Sequence, residues 1–290
     1  MFQSIRFAAN GGEPFCPKCG CVKVYTLAET PVRWQCSACR KRFSVTSGTI
    51  FHSRKLTIRD YLGVVALFCN GVKGTSSLQM SRDMNINPKS AFVMLHKLRE
   101  AMGAEVHSGP ELSGIVEVDG CFVGGHARMP NRKEDWPDRR GENPKRRVVV
   151  IARERGGRVI PWVVAREADG VQPIRQHVAS GTEVHADETG AWNVLHASFP
   201  MWRVNHSVEF KSVEGACTNM AESFFARLRR SEAGVYHKIS GLLQAYADEN
   251  AWRENHRREP NGLHWNLITG AALSHPKSDR WANYWHRTAA

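Results

Sequence analysis

Apolar residues first settle into a regular rhythm after Thr57, where Tyr61, Val64, Val65 and Phe68 recur at helical spacing. Thr57 has the character of an N-cap residue, and Gly71 and Gly74 break the pattern. Thr75-Ser76-Ser77 can cap a second, short helix through Leu78, Met80 and Met84. Asn87-Pro88 opens a third, which carries Ala91, Phe92, Leu95 and Leu98 on one face. Three helices with a short middle one fit a helix-turn-helix outline, with a plain helical spacer as the alternative. Lys89, Ser90, His96, Lys97 and Arg99 on the last helix would then face phosphates or base edges.

From about residue 112 the period changes. Ile115-Val116-Glu117-Val118-Asp119 alternates, and residues 147–152, 158–164, 183–186 and 202–204 read as further strands. Helical patterns fall among and after them, at 171–178, 191–198, 219–230 and 244–256. Strands followed by strands alternating with helices predict a mixed α/β domain. Between the first two strands, residues 126–147 hold eight Lys or Arg against four acids, with Pro, Asn and Gly among them. This stretch reads either as a flexible basic loop with a binding role or as a solvated insertion.

Composition bounds the partners. The 290 residues are 42% hydrophobic, enough for two or three small domains or one large one with an appendage. A formal net charge of +12 and a sequence pI of about 9.6 point to a polyanion, with a merely basic protein as the bland alternative. The positive charge is spread along the chain, which favours an extended nucleic-acid track over one basic arm. The longest apolar run, residues 62–69, is far too short to cross a bilayer, so no membrane partner is expected. The first ten residues lack a secretory pattern, and eight cysteines are then read as belonging to a reducing, cytoplasmic compartment.

Four of those cysteines carry a motif. Cys16 and Cys19 form one C-x2-C pair, and Cys36 and Cys39 form another after 16 intervening residues. The turn inside each pair aims two sulfurs at one point, and two pairs make a tetrahedral four-sulfur site suited to structural Zn2+. The spacing is that of a zinc ribbon over residues 1–50, with Tyr25, Val32, Trp34 and Phe43 as packing residues of its strands. The alternative is a disulfide pair or unrelated buried thiols. Cys21 reads as a bystander, with a competing ligand as the alternative, and Cys69, Cys121 and Cys217 as isolated small buried residues.

Three acids stand out in the strand-rich region. Asp119 follows an apolar strand and precedes Gly120 and Gly124-Gly125, an odd setting for a simple core. Asp187 repeats it after Glu183-Val184-His185-Ala186. Glu222 lies in a helical stretch and shares a helix face with Asn219, three residues earlier. Oxygen ligands converging from two strands and a helix suit Mg2+, and two such ions serve in-line displacement at phosphorus. Each acid alone reads as a surface group or cap.

Taken together, these motifs are familiar. The ribbon, the helices, Val116-Glu117-Val118-Asp119, Gly124-Gly125, Ala186-Asp187-Glu188, Asn205-His206-Ser207 and Thr218-Asn219-Met220-Ala221-Glu222 follow in an order that resembles the insertion-sequence transposases of the IS1595 group (ISXO2-like). The resemblance runs from about Phe15 to His256. It implies an RNase H-like core, a mixed sheet flanked by helices, and a DDE-type site that uses divalent metal. Asp119 and Asp187 would be the first and second catalytic carboxylates, with Asn219 or Glu222 as the third group. Arg229 or Arg230 would touch a phosphate, and His206 would orient DNA or a ligand carboxylate, or else be a structural histidine. The chain departs from the family at Gly120, where an acid often follows the first Asp, and at Cys217, two residues before the Asn, where His is frequent.

The expected organisation is a zinc ribbon at 1–50, a helical DNA-binding region at 51–108, an RNase H-like DDE domain at 109–258 and a Trp- and His-rich tail at 259–290. The expected activity is Mg2+-dependent cleavage at the ends of an insertion sequence and strand transfer to target DNA. The ribbon and helices would recognise the terminal inverted repeats, and two ends call for a homo-oligomer on DNA. Such a protein works in the bacterial cytoplasm, at the nucleoid. A non-enzymatic zinc-ribbon and helix-turn-helix regulator is the alternative, and a structure-specific nuclease on the same core is a third reading.

Overall fold

The computed structural model describes residues 2–29, 31–124, 146–204, 217–236 and 239–286. The chain divides into two compact units, Met1–Glu105 with His256–Ala290, and Val106–Asn255.

The first unit opens with helix α1 (Phe2–Arg6) and a three-stranded antiparallel sheet of β1 (Val24–Leu27), β2 (Arg33–Cys36) and β3 (Arg42–Phe43), in that order. Only one face of so small a sheet is covered. Trp34 and Phe43 are buried on it, and Phe7 meets Trp34 edge-on at 5.8 Å. Tyr25 and Val32, expected to pack, are 50% and 52% exposed instead. Tyr25 lies opposite Gln35, one residue out of phase with Trp34, and so faces away from the covered side.

Helices α2 (Ile58–Asn70), α3 (Ser77–Asp83) and α4 (Pro88–Ser108) begin where the capping residues place them. Thr57 forms a reciprocal capping box with Asp60, and the Ser76 hydroxyl accepts from the Gln79 N–H. α2 buries Tyr61, Val64, Val65 and Phe68, the residues its periodicity marks.

The second unit is built on five strands: β4 (Ile115–Gly124), β5 (Arg146–Glu154), β6 (Val159–Val164), β7 (Glu183–Asp187) and β8 (Met201–Val204), in the order β6-β5-β4-β7-β8. β5 runs antiparallel to β4 and β6, while β7 and β8 run parallel to β4. Helices α5 (Val171–His177), α6 (Asn219–Ser231) and α7 (Leu243–Asn255) accompany the sheet. This is the mixed sheet with flanking helices expected of an RNase H-like core. β4 extends past Asp119 to Gly124, because Cys121 and Val123 continue the inward alternation. Asp119 is therefore inside the strand and not at its end. Where a helical pattern is expected at 191–198, residues 190–197 form a 3-10 helix that buries Trp192 and Leu195.

The open edge at β6 is closed by side chains of α7. Gln244 accepts from the Val163 N–H and donates to the Pro161 carbonyl, at 2.7 and 3.0 Å. Asn255, three helical turns on, accepts from the Val159 N–H at 2.8 Å and donates to its carbonyl at 3.2 Å. Two amides on one helix face thus replace a missing strand, and the edge is blocked against pairing with another chain.

The remaining helix, α8 (Asn261–Ser274), belongs to the first unit and packs against α1 and α2. Residues 259–290, read from sequence as a tail, thus contribute a helix and, further on, the buried Trp281.

Candidate metal centres and acidic site

The four ribbon cysteines converge. Their sulfur atoms all lie within 4.8 Å of one another, with Cys16 to Cys39 and Cys19 to Cys36 at 3.6 Å. Those spacings suit four sulfurs around one tetrahedral Zn2+ at about 2.3 Å each. Burial pushes the Cys16 thiol up, but the backbone N–H groups of Lys18 and Cys19 and the Cys39 thiol bring it down to about 7. Cys36 is likewise lowered while Cys19, hydrogen-bonded to the same thiols, is raised, so the quartet shares its protons and gives them up to a bound zinc ion. Cys21 stands aside, its sulfur 3.6 Å from the Lys23 carbonyl and from the Ser37 hydroxyl.

The acidic site is assembled on β4. Glu117, Asp119 and Cys121 point to one face of that strand, as alternate residues must. Glu117 is fully buried, and its carboxylate accepts from the N–H groups of Met220 and Ala221 at 2.8 and 3.1 Å. It thereby caps the positive end of α6. Arg155 pairs with the same carboxylate at 3.1 Å. Further along α6, Arg229 donates to the Cys121 sulfur at 3.0 Å, and Arg153 donates to the Met220 carbonyl. Glu254 on α7 pairs with Arg153 and with Arg227. These contacts lay α6 over the Asp119 face of the sheet and bring Glu222 to bear on Asp119.

Asp187 arrives through the sheet register. Val118 pairs with Ala186 in the parallel β4–β7 ladder, and Asp119 and Asp187 are the next residues on each strand. The Asp187 carboxylate is fixed by the Thr189 hydroxyl at 2.5 Å and the Trp192 indole N–H at 2.9 Å. The Gly120 N–H donates to Asp119 at 2.7 Å.

A fourth acid, which sequence reasoning missed, approaches Asp119 from the other face of β4, the Gly120 side. Glu167 begins a 3-10 turn, Glu167–Gly170, after β6. That turn lies against the sheet because two glycines admit it. A Cβ on Gly120 would stand 2.7 Å from the Glu167 carboxylate oxygen, and a Cβ on Gly170 would stand 2.7 Å from Val150, the partner of Gly120 across the β4–β5 ladder. Gly120 beside Asp119 was the one clue in the sequence, and it does not say which acid fills the space.

Burial, followed by the charges of Asp187, Glu167 and Glu222, pushes the Asp119 carboxyl up to about 7, against the pull of the Gly120 N–H. Burial and Asp187 likewise raise Glu167. Besides burial, the groups that raise Asp119 are three carboxylates, oxygen ligands of the kind a hard divalent cation takes. The carboxylates do not crowd as closely as the thiols. Among the described residues, only the cysteine quartet has three or more ligand atoms all within 4.8 Å of one another. Two ions about 3.5–4 Å apart would need acids spread more widely than one coordination sphere.

The other expected site residues divide. Asn219 opens α6 and is exposed, as are Arg229 and Arg230 at its other end. Lys89 is exposed at the start of α4, and Lys97 is half-buried on it. Arg99 is only 2% exposed: its guanidinium donates to the Thr75 carbonyl and lies over the Phe68 ring. It therefore turns away from the solvent side where DNA would lie. His206 and most of the basic stretch at 126–147 fall outside the described residues. Arg146 and Arg147 are in β5.

A sulfur quartet on a ribbon ahead of an acidic site on a mixed sheet defines a class of chain, and comparison with known proteins gives the class a family. Residues 111–255 match the ISXO2-like transposase domain, and residues 1–42 match the transposase zinc-ribbon domain. The chain belongs to the IS1595-type, ISXO2-like transposase family. It is 25% identical over 127 residues to an uncharacterized protein in transposable element ISH50 of Halobacterium salinarum. That match spans 43% of this chain and 41% of the relative's length. Two solved structures are loosely similar. The Mos1 strand transfer complex gives a TM-score of 0.28 at 11% identity, over 73% of this chain and 78% of that one. The Mos1 transposase paired-end complex with left transposon end gives 0.26 at 10%, over 75% and 80%. Among the described residues no helix is long and apolar enough to cross a membrane.

Proposed function

We propose that this protein is the DNA transposase of an insertion sequence, cutting DNA at the element ends and joining the freed ends to target DNA. The observation that carries the reading is one buried carboxyl, Asp119, set beside Asp187 by the β4–β7 register and within the field of Glu222 and Glu167, in a chain of this family. Asp119 and Asp187 would hold the divalent cations, with Glu222, whose charge acts on Asp119, or Asn219 completing the set. When bound, Mg2+ would supply Lewis-acid activation of the attacking oxygen and stabilise the leaving oxygen.

The chain's own contribution is placement. Glu117 and Arg153 hold the start of α6, the Thr189 and Trp192 donors orient Asp187, and the Gly120 N–H orients Asp119. In the first step an oxygen of water bonds to phosphorus, and the bond to the 3′ oxygen breaks. In the second, that 3′-hydroxyl attacks a target phosphodiester and displaces a new 3′ oxygen. No covalent link to the protein is needed, so positioning and charge carry the catalysis. Arg229 and Arg230, with Lys89 and Lys97, would contact phosphates of the inverted repeats or target. Two element ends would be brought together by a homo-oligomer.

The test uses end-labelled element DNA. Asp119→Asn and Asp187→Asn should retain DNA binding in a gel-shift assay and lose cleavage and joining by about 10³-fold or more, the equivalent of several kcal/mol of lost charge stabilisation. Normal cleavage by either variant overturns the reading. Intact binding with no cleavage by the wild type at any divalent metal leaves a DNA-binding regulator. Comparing Glu222→Gln with Asn219→Ala identifies the third group.

A further inference from the structure

The first unit contains a cavity of about 470 Å³ that the acidic site does not use. Its walls come from the face of α4 expected to meet DNA and from residues 277–285 folded back over it. Lys55, Lys89, Lys97 and Lys277 all line it, and the lining includes no Asp or Glu. Tyr284 and Trp285 form an aromatic wall. The acid that acts on Lys97 is Glu100, whose carboxylate accepts from the Ser278 hydroxyl at 2.6 Å. Burial and then Lys277 pull the Lys97 ammonium down against that attraction. His52, also on the wall, is lowered by burial and then by Lys277, Lys41 and Lys97. The cavity therefore gathers four lysines on a wall that carries no carboxylate, a setting that favours an anion.

The aromatic wall is built, not loose. Trp281 is 3% exposed and stacks on His96 with ring centroids 4.6 Å apart. Trp285, 47% exposed, is fixed by its indole N–H on the Lys89 carbonyl at 3.1 Å, and Tyr284 meets it edge-on at 5.0 Å. An anchored, half-open indole beside lysines offers a π-face for a base and charge for its phosphate. The volume lies in the range of about 300–1,000 Å³ that holds small ligands, and it is too small for a duplex.

We propose that this cavity binds one unpaired nucleotide of a DNA strand, its base against Trp285 or Tyr284 and its phosphate among Lys55, Lys97 and Lys277. The site would serve a frayed or cleaved DNA end, and it does not depend on the assignment of the acids. It accounts for why this face of α4 carries a C-terminal cover of aromatic residues: the cover supplies the stacking surface that a helix alone lacks.

The full zinc-loaded chain is titrated with oligothymidylate and, separately, with a blunt duplex, following tryptophan fluorescence. Lys55→Gln with Lys277→Gln, both on the cavity wall, should weaken single-strand binding roughly tenfold and leave duplex binding within about twofold, since a stacked, charge-held nucleotide is worth that much. Unchanged single-strand binding, or equal loss on both DNAs, overturns the proposal. Thymidine 5′-monophosphate should compete if the site takes a nucleotide from either source, whereas inorganic phosphate competing equally well means the aromatic wall plays no part and overturns it. A measurement without any substitution guards against misfolding. An oligonucleotide carrying 5-iododeoxyuridine should crosslink at Tyr284 or Trp285, and crosslinks found only elsewhere count against the cavity.

Discussion

The cysteine quartet and the acidic site are both candidate metal centres, yet they are built in opposite ways. Four sulfurs from two turns, all within 24 residues of sequence, close to within 4.8 Å. The four acids come from two strands, a 3-10 turn and a helix spread over residues 119–222, and they stay further apart. The first site is made by local chain geometry. The second exists only because a sheet register, a buried glutamate and two glycines agree. A local site should fail alone, and a dispersed one should fail through distant residues.

The largest expected effect is at the quartet. Cys16→Ser should abolish zinc retention and unfold the ribbon, because structural zinc is worth roughly 10–16 kcal/mol in such sites. Zinc content and Trp34 fluorescence should change together, while Mn2+ binding at the acids is kept. Loss of both would break the comparison.

Glu117 tests the dispersed site from a distance. Glu117→Gln leaves Arg155 without its carboxylate and weakens the cap on α6, at a cost of about 3 kcal/mol. Thermal unfolding should show that loss, and cleavage should fall although Glu117 ligates nothing. Full activity in a destabilised protein would mean that the anchoring of α6 does not place Glu222.

A smaller effect is expected at Glu167. Glu167→Gln should weaken Mn2+ binding by about tenfold, within the range seen when groups around a metal are altered. Gly120→Ala should do the same by pushing Glu167 away, and the double variant should add little. Strict additivity would show that Glu167 acts independently of Gly120. The smallest effect belongs to Cys21→Ser, which should change stability by no more than about 0.5 kcal/mol and leave zinc binding intact. A clear loss would make the quartet a choice among five thiols.

Legibility in the sequence follows the same division. The ribbon ligands, the capping residues Thr57 and Ser76, the start of α4 at Pro88 and the five strands of the second unit could all be read from local spacing and periodicity. Asp119 and Asp187 were visible as acids out of place in apolar strands. Hidden from the sequence were the continuation of β4 to Gly124, the exposure of Tyr25 and Val32, the inward turn of Arg99 and the approach of Glu167. Each depends on which face of an element finds a partner, and a partner far along the chain leaves no mark at the residue itself.

The sequence by itself determined the ribbon's sulfur cage, the helix starts and the alternation that makes a mixed sheet, because those depend on neighbours within a few residues. Tertiary structure decided which acids share a field and which lysines share a cavity with tryptophan. Parallel register set Asp119 beside Asp187, a glutamate cap fixed the angle of α6, and the absence of a side chain at Gly120 left room for Glu167. Contacts of that kind are chosen by packing across the fold, where burial and charge act over distance in space and not along the chain.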